Sequence, residues 1–293
     1  MRYVHFCAGL QQWNGMANVA RMLMNEQLAF GDESVLINSL ENLEEQLERG
    51  ADVVFIHGAW LPILWRVART VKRRGVRLVL MPHGSYDPLR RRYHGWKKSL
   101  VGCLERLMIG RADKILATCA AEEQWIRQYF GKGCPAIEIM DIKRFFQLAD
   151  CGAVDKRQQV DSLIRHSANA PLHLLFLGRR HPLKGLKYLE ESIKGIPGIE
   201  LQVVSHAFGE EKERVWDWCD VLVLPTLSEN FGLVIAEALE HGKRVITTDG
   251  APAWGDGCSY GRRLTYITGY RDGSVTERIK KLKTVIESLV RTA

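Results

Sequence analysis

The sequence predicts an α/β protein built from two doubly wound parallel-sheet domains. Short apolar runs such as Val53-Val54-Phe55-Ile56 and Leu174-Leu175-Phe176-Leu177 read as strands buried on both faces. They alternate with longer segments of helical periodicity, the pattern of strand–helix–strand units. The alternation lapses near residues 143–153 and then restarts, and 293 residues suffice for two domains of about 140 residues each. The expected division is 1–145 and 146–293.

In the first half, a strand at 2–8 leads through the loop Gly9–Gly15 into a helix from Met16 to Phe30, with Gly31 as its stop signal. Val35-Leu36-Ile37 is a second strand and Val53–Gly58 a third. A basic helix over 61–74 precedes a strand from Val76 to Met81 that ends at Pro82-His83-Gly84. Helices at 96–111 and 120–130 bracket a strand at Lys114–Ala117, and a short strand follows at Ala136–Met140. The second half opens with a helix at 155–167 and a strand at Leu172–Gly178. A turn at Pro182–Gly185, a helix at 186–195, a strand at Glu200–Val204, a helix at 210–218 and a strand at 220–224 come next. In open parallel sheets ligands bind beyond the carboxyl ends of the strands, so both halves are expected to present loops to a shared central cleft.

Composition excludes several classes. No apolar run reaches the ~18–20 residues of a membrane span. Met1–Gly9 is too short and broken for a signal peptide and reads as a strand. Seven cysteines form no C-x-x-C pair, and an odd number argues against a disulfide framework or zinc site. A reducing cytoplasm is expected.

Charge is unevenly placed. Residues 1–65 hold 3 Lys/Arg against 8 Asp/Glu, whereas residues 66–114 hold 14 against 3, a balance of +11 that makes the whole chain +7. Within that segment Arg90-Arg91-Arg92-Tyr93-His94-Gly95-Trp96-Lys97-Lys98 interleaves cations with aromatics, and Leu100, Val101, Leu104, Leu107 and Met108 follow at helical spacing. One reading is a solvated face above a core stripe. The other is a patch for an anionic membrane surface or a phosphorylated acceptor. Nucleic acid is not expected, since no nucleic-acid motif accompanies the charge.

The chemistry is concentrated in Ser228-Glu229-Asn230-Phe231-Gly232-Leu233-Val234-Ile235-Ala236-Glu237. The apolar run Val221–Leu224 before it is a buried strand, so Glu229 falls in a loop and Glu237 on the second turn of the helix that follows. Backbone N–H groups at Asn230, Phe231, Gly232 and Leu233 together with the positive end of the macrodipole make an anion site. Two carboxylates beside an anion site make sense if they bind hydroxyls, on a sugar and a ribose, while the N–H groups take a diphosphate. That is a nucleotide-sugar site.

These residues resemble a known family. Glu229 to Glu237 match the E-x7-E motif of retaining glycosyltransferases with the two-domain GT-B fold, and the surrounding "LPTLSENFGLVIAEALEHGKRVITTDGAPAW" is similar to glycosyltransferase family 4. Gly178-Arg179-Arg180-His181-Pro182-Leu183-Lys184-Gly185 resembles that family's G-R-x-x-x-x-K-G signature, in which Arg179 and Lys184 would grip the donor diphosphate. Pro82–Pro88 and "RADKILATCAAEE" resemble elements of a branch associated with surface polysaccharides and lipopolysaccharide core, which would set His83 at the cleft as a positioning group. The loop around Gly15 corresponds to the family's glycine-rich first loop, with Asn14 in place of a glycine and the left-handed tolerance of asparagine as the reason.

The resemblance implies two Rossmann-like domains, an acceptor-side N-terminal one and a donor-binding C-terminal one. It implies a retaining hexosyltransferase using a nucleotide-sugar donor, with UDP as the expected nucleotide, and a saccharide or lipid-linked acceptor. It implies no cofactor and no metal. Arg179, Lys184, Glu229 and His83 would be the catalytic set. Gly15, Gly178, Asn230, Phe231, Gly232, Leu233 and Glu237 would hold the donor. The protein would be cytoplasmic or held peripherally on the cytoplasmic face of the inner membrane. The hinge loop "IEIMDIKRFF" departs from the family's Asn-Gly pattern, and the chain between Glu200 and Leu224 is short. A GT-B nucleotide-sugar epimerase and a non-catalytic nucleotide-sugar binding module remain as alternatives. A dinucleotide-binding dehydrogenase is disfavoured because no G-x-G-x-x-G follows the first strand.

Overall fold

Alternating strand and helix sequences produce two separate parallel sheets in the computed structural model, which describes residues 1–11, 14–93, 95–148, 170–255 and 260–292. The chain divides into two compact units, Met1–Phe145 and Phe146–Ala293. The helix expected at 155–167 lies outside the described residues.

The first unit runs β1 (Arg2–Cys7), α1 (Gly15–Ala29), β2 (Glu33–Ile37), α2 (Leu40–Glu48), β3 (Val53–His57), α3 (Pro62–Arg73) and β4 (Arg77–Met81). It continues through α4 (Pro88–Arg92), α5 (Gly95–Ile109), β5 (Lys114–Ala117), α6 (Ala120–Phe130) and β6 (Ala136–Ile139). All pairings are parallel, in the order β2-β1-β3-β4-β5-β6. Val4, Phe6, Val54, Ile56, Leu78, Leu80 and Ile115 fill the centre, and Leu64, Val67 and Val71 of α3 pack onto the same core. The continuous apolar strands are therefore covered on both faces, as parallel sheets require.

Two short helices of this unit escaped the sequence reading. The signal for α2 was present: Ser39 caps it by accepting the Asn42 N–H, and Leu43 and Leu47 are buried at helical spacing. The helix α4 starts at Pro88 behind the capping carboxylate of Asp87. Asn14 also corrects an expectation. Its φ is −85°, not left-handed, and its side chain caps α1 by accepting the Met16 N–H.

The second unit runs β7 (Leu172–Leu177), α7 (Leu186–Ser192), β8 (Ile199–Val204), α8 (Gly209–Trp218), β9 (Val221–Leu224), α9 (Leu233–Glu240), β10 (Arg244–Thr248), β11 (Leu264–Ile267) and α10 (Val275–Thr292). Its strands are parallel in the order β11-β10-β9-β7-β8. Strand order reverses at β7, which has its chain successor β8 on one side and β9 on the other. The gap between the ends of β7 and β9 is thus the topological switch point, where doubly wound sheets bind ligands. Neither β11 nor α10 was foreseen. The burial of Leu282 and Ile286 shows that the tail completes this unit's core.

The expected core stripe on the helix after the basic cluster is overturned. On α5 the core face carries Glu105 and Ile109, whereas Leu100, Leu104 and Leu107 are exposed. No described helix is long and apolar enough to cross a membrane.

Candidate functional site

At the switch point of the second unit, three loops are stitched by backbone groups. The loop after β7 passes through Gly178, makes a tight turn at Pro182–Lys184 and ends at Gly185. The Leu183 carbonyl accepts the Leu227 N–H at 2.7 Å and the Thr226 hydroxyl at 2.9 Å, tying this loop to the one after β9. Gly185 has φ 74°, and a Cβ there would overlap the carbonyl oxygen of Pro225. Glycine is required by conformation and by close approach. The Glu229 N–H donates to the Gly250 carbonyl at 2.7 Å, which adds the loop after β10.

These bonds bring Lys184 and Glu229 together. Nζ of Lys184 donates to Oε2 of Glu229, and the two side chains are only 17% and 12% exposed. The other carboxylate oxygen accepts the Asn230 N–H at 3.2 Å. The Asn230 N–H, expected in an anion site, thus donates to Glu229 in this structure. The helix α9 itself begins at Leu233, with Gly232 left-handed at φ 75° as its cap. A Cβ on Gly232 would press on Glu229 Cγ at 3.2 Å, so this glycine also makes room for the carboxylate. The backbone N–H groups that open α9 at Leu233, with the macrodipole behind them, follow Glu229 after the short turn through Gly232.

Phe231 is buried at 5.1 Å from the Trp254 ring and 6.1 Å from Phe146, and its carbonyl accepts the Trp254 indole N–H. Its side chain is core, leaving only its backbone to a ligand. Glu237 lies on the second turn of α9, paired at 2.8 Å with Lys212 of α8. Sequence reasoning missed Lys212, which sits among glutamates in a helix with no motif of its own. Arg179 is exposed at the start of the loop after β7. Within this unit, then, Gly178, Arg179, Lys184, Glu229 and residues 230–233 gather at the carboxyl ends of β7 and β9, with Glu237 one helical turn beyond.

Gly15 and His83 lie in the first unit. Gly15 is the first residue of α1, after the loop that ends β1. His83 follows β4 and has a left-handed backbone, φ 52°, which is costly for a residue with a Cβ. The carboxylate of buried Glu122 fixes this turn. One oxygen accepts the Gly84 N–H and the other accepts the Thr118 N–H and hydroxyl at 2.8 and 2.7 Å. Burial raises the Glu122 pKa.

The His83 ring faces inward. Its Nε2 is 2.9 Å from Nδ1 of His57, whose Nε2 is 3.0 Å from Nδ1 of His5, whose Nε2 is 2.9 Å from the Gln27 side-chain oxygen. That oxygen can only accept, so each histidine donates through Nε2 and accepts through Nδ1. The file is electrically neutral: burial lowers His5 to about 4 and His83 to about 3, and pushes His57 well below its ordinary value. The Arg90 guanidinium adds to the effect on His83. His83, expected at the cleft as a positioning group, is 6% exposed, with Nδ1 as its remaining acceptor.

Comparisons with known proteins agree with this architecture. Residues 35–139 match the family described as "Glycosyl transferase 4-like domain", and residues 152–282 match "Glycosyl transferases group 1". No curated protein matches. Among solved structures, sucrose-phosphate synthase from Thermosynechococcus elongatus superposes with a TM-score of 0.68 at 14% identity, covering 98% of this chain and 90% of that one. Anabaena HepE in complex with UDP-glucose gives 0.64 at 15% identity, covering 100% and 91%. The lipopolysaccharide outer core galactosyltransferase WaaB gives 0.60 at 15% identity, covering 99% and 91%. With both halves matched to glycosyltransferase domains and two parallel-sheet units in sequence, the chain belongs to the family 4-like glycosyltransferases of GT-B fold.

Proposed function

We propose that this glycosyltransferase moves a sugar from a UDP-linked donor to a saccharide or lipid-linked glycan, with retention of configuration, in cell-surface polysaccharide or lipopolysaccharide assembly. The observation that carries the reading is the Lys184–Glu229 ion pair at the switch point between β7 and β9. A cation held by a carboxylate there is positioned before any ligand arrives, and the leaving diphosphate gains charge as the glycosidic bond breaks. Arg179 supplies a second cation. Glu229 hydrogen-bonds hydroxyls of the transferred sugar, and Glu237, steadied by Lys212, holds the ribose. In this reading Gly15, Gly178 and the amides of Phe231, Gly232 and Leu233 face the donor phosphates.

The motifs position no carboxylate as an evident covalent nucleophile, so front-face displacement is the proposed route. The C1–oxygen bond to the diphosphate breaks, the acceptor oxygen bonds C1 on the same face, and its proton passes to the departing diphosphate. His83 positions substrate by accepting a hydroxyl at Nδ1. Arg179, Lys184 and the start of α9 perform the electrostatic work, so turnover persists in EDTA.

UDP-glucose is bound by HepE, and WaaB is named as a lipopolysaccharide galactosyltransferase. Both support the donor and the setting proposed. The protein acts in the cytoplasm, and the basic segment 66–114 holds it against an anionic membrane face, where each Lys or Arg gains about 1 kcal/mol.

A thermal-shift screen of nucleoside diphosphates tests the donor, since a ligand at 100 times its Kd adds about 2.7 kcal/mol. Stabilisation by UDP above the other diphosphates supports the reading. NMR of the product's anomeric proton then reads the stereochemistry, and an inverted product overturns the mechanism. Conversion of donor to its epimer without acceptor would replace transfer by epimerisation.

A further inference from the structure

The basic cluster of the first unit does not lie flat on a helix face. Arg91 and Arg92 of α4, with Lys98 and Arg106 of α5, line a pocket of about 560 Å³ whose walls include Trp60 and Tyr129 and, among the described residues, no carboxylate. Three of these cations are held in place. The guanidinium carbons of Arg91 and Arg106 lie 5.0 and 4.7 Å from the centre of the Tyr129 ring, and Arg106 Nε donates to the Tyr129 carbonyl at 3.0 Å. Lys98 Nζ sits 5.7 Å from the Trp60 ring and donates to the Arg90 carbonyl.

The only carboxylate on α5 does not neutralise them. Glu105 is buried and accepts from the Tyr86 hydroxyl at 2.7 Å, the Trp65 indole N–H and the Trp60 backbone N–H. Four cations converging on a concave site with no carboxylate among its described lining residues repel one another. Burial, then Arg90 and Arg91, lower the Lys98 pKa, with Asp87 opposing them. A multiply charged anion with oxygens on several sides would relieve the repulsion, and forked guanidiniums suit phosphate.

A second feature adjoins the pocket. Trp96, Leu100, Leu104 and Leu107 project from α5 at 67%, 74%, 46% and 50% exposure. Spacings of four, four and three residues place them on one stripe. The pocket residues of α5 lie on the flank between this stripe and the core face of Glu105 and Ile109. One helix thus offers an anion pocket and, beside it, an uncovered apolar strip, the two halves of an amphiphile with a phosphate head.

We propose that this pocket binds the terminal phosphate of a lipid, with Arg91, Arg92, Lys98 and Arg106 around the phosphate and the hydrocarbon laid along Trp96, Leu100, Leu104 and Leu107. The inference rests on the membrane-surface reading above and sharpens it from a diffuse patch to a site for a phosphomonoester. A diffuse patch responds to surface charge alone, whereas a pocket distinguishes a terminal phosphate from a phosphodiester.

The test uses the full-length protein and vesicles of phosphatidic acid or phosphatidylglycerol in phosphatidylcholine, matched in surface charge, with calorimetry of dihexanoyl phosphatidic acid and inorganic phosphate below vesicle-forming concentrations. Expected results are preference for phosphatidic acid and saturable binding of its short-chain form roughly tenfold tighter than inorganic phosphate. R91Q/R92Q should abolish that preference, while R66Q/R69Q, which removes equal charge from α3, should preserve it. L100Q/L104Q, at exposed positions, should lower short-chain lipid binding to the level of inorganic phosphate and leave phosphate binding intact. Unchanged melting temperatures exclude misfolding.

Equal binding to both vesicle types, lost equally in the α3 and α4 variants, would overturn the pocket and leave the diffuse patch standing. Binding of inorganic phosphate and lipid with equal affinity, indifferent to L100Q/L104Q, would overturn the lipid assignment in favour of a phosphorylated soluble group. No binding to either vesicle at low salt would overturn both the pocket and the membrane-surface reading.

Discussion

Lys184 and Glu229, 45 residues apart in the chain, form an ion pair across the loops that follow β7 and β9, in surroundings that leave both side chains mostly buried. The pair exists because strand order reverses at β7 and because Gly185 lets the first loop press against Pro225. Neither residue alone would define a site. Together they set a cation beside a carboxylate at the place where a parallel sheet opens to ligands.

Lys184→Ala should lower kcat roughly 10²-fold while donor KM changes much less, because charge on the leaving diphosphate is greatest in the transition state. Arg179→Ala should behave alike. Steady-state kinetics with varied donor checks this, and a change confined to KM would reduce both residues to ground-state binding. In a double-mutant cycle with Glu229→Ala, the stability coupling should be about 1–3 kcal/mol.

Glu237→Ala should weaken UDP binding by roughly 1.5–3 kcal/mol, the worth of charge-assisted hydrogen bonds to the ribose. Lys212→Ala should cost less, since it only steadies the carboxylate at 2.8 Å. Calorimetry with UDP reads both. Equal affinity in wild type and Glu237→Ala would remove this glutamate from the donor site.

Gly185→Ala should be among the most damaging single-methyl changes in the second unit. The added Cβ would meet the Pro225 carbonyl, and the backbone φ of 74° disfavours any side chain. The expected loss is about 1–3 kcal/mol of stability, with a larger fractional loss of UDP affinity because Lys184 is the preceding residue. Gly195→Ala, at φ 78° with open space around it, is the control that separates backbone strain from the overlap.

The histidine file predicts acid sensitivity. His5 and His83 have folded pKa values lowered by burial to about 4 and about 3, from 6.5. Between those values and 6.5 the unfolded chain binds more protons than the folded one, so stability is full above pH 6.5 and falls as pH drops toward 4. Each histidine contributes up to about 1.4 kcal/mol per pH unit in that window. Urea midpoints from pH 7.5 to 4.5 measure the slope. His57→Gln should flatten it, and an unchanged slope would show that these histidines are not buried neutral in the native state.

Much of this protein was legible without coordinates. Local patterns carried it: apolar runs for β3, β7 and β9, helical spacing for α1 and α3, and the Gly178–Gly185 and Glu229–Glu237 segments, whose chemistry is contiguous in the chain. Signals of this kind depend on neighbours within a few residues, and so survive in one dimension. The exposed stripe on α5 shows the limit. Leu100, Leu104 and Leu107 have the spacing of a core face, yet the core takes Glu105, whose carboxylate is satisfied by the Trp65 indole on α3 and by Tyr86.

Only the tertiary structure could decide the partnerships: Lys212 for Glu237, Lys184 for Glu229, Glu122 for the turn at Gly84, and the inward file from His83 to Gln27. These pairs join residues as far as 52 positions apart, as His5 and His57 are. Periodicity and motif spacing say which residues share a strand, a loop or a helical face. They do not say which two elements the sheet order makes adjacent, and the charge, tautomer and orientation of each site residue follow from that adjacency.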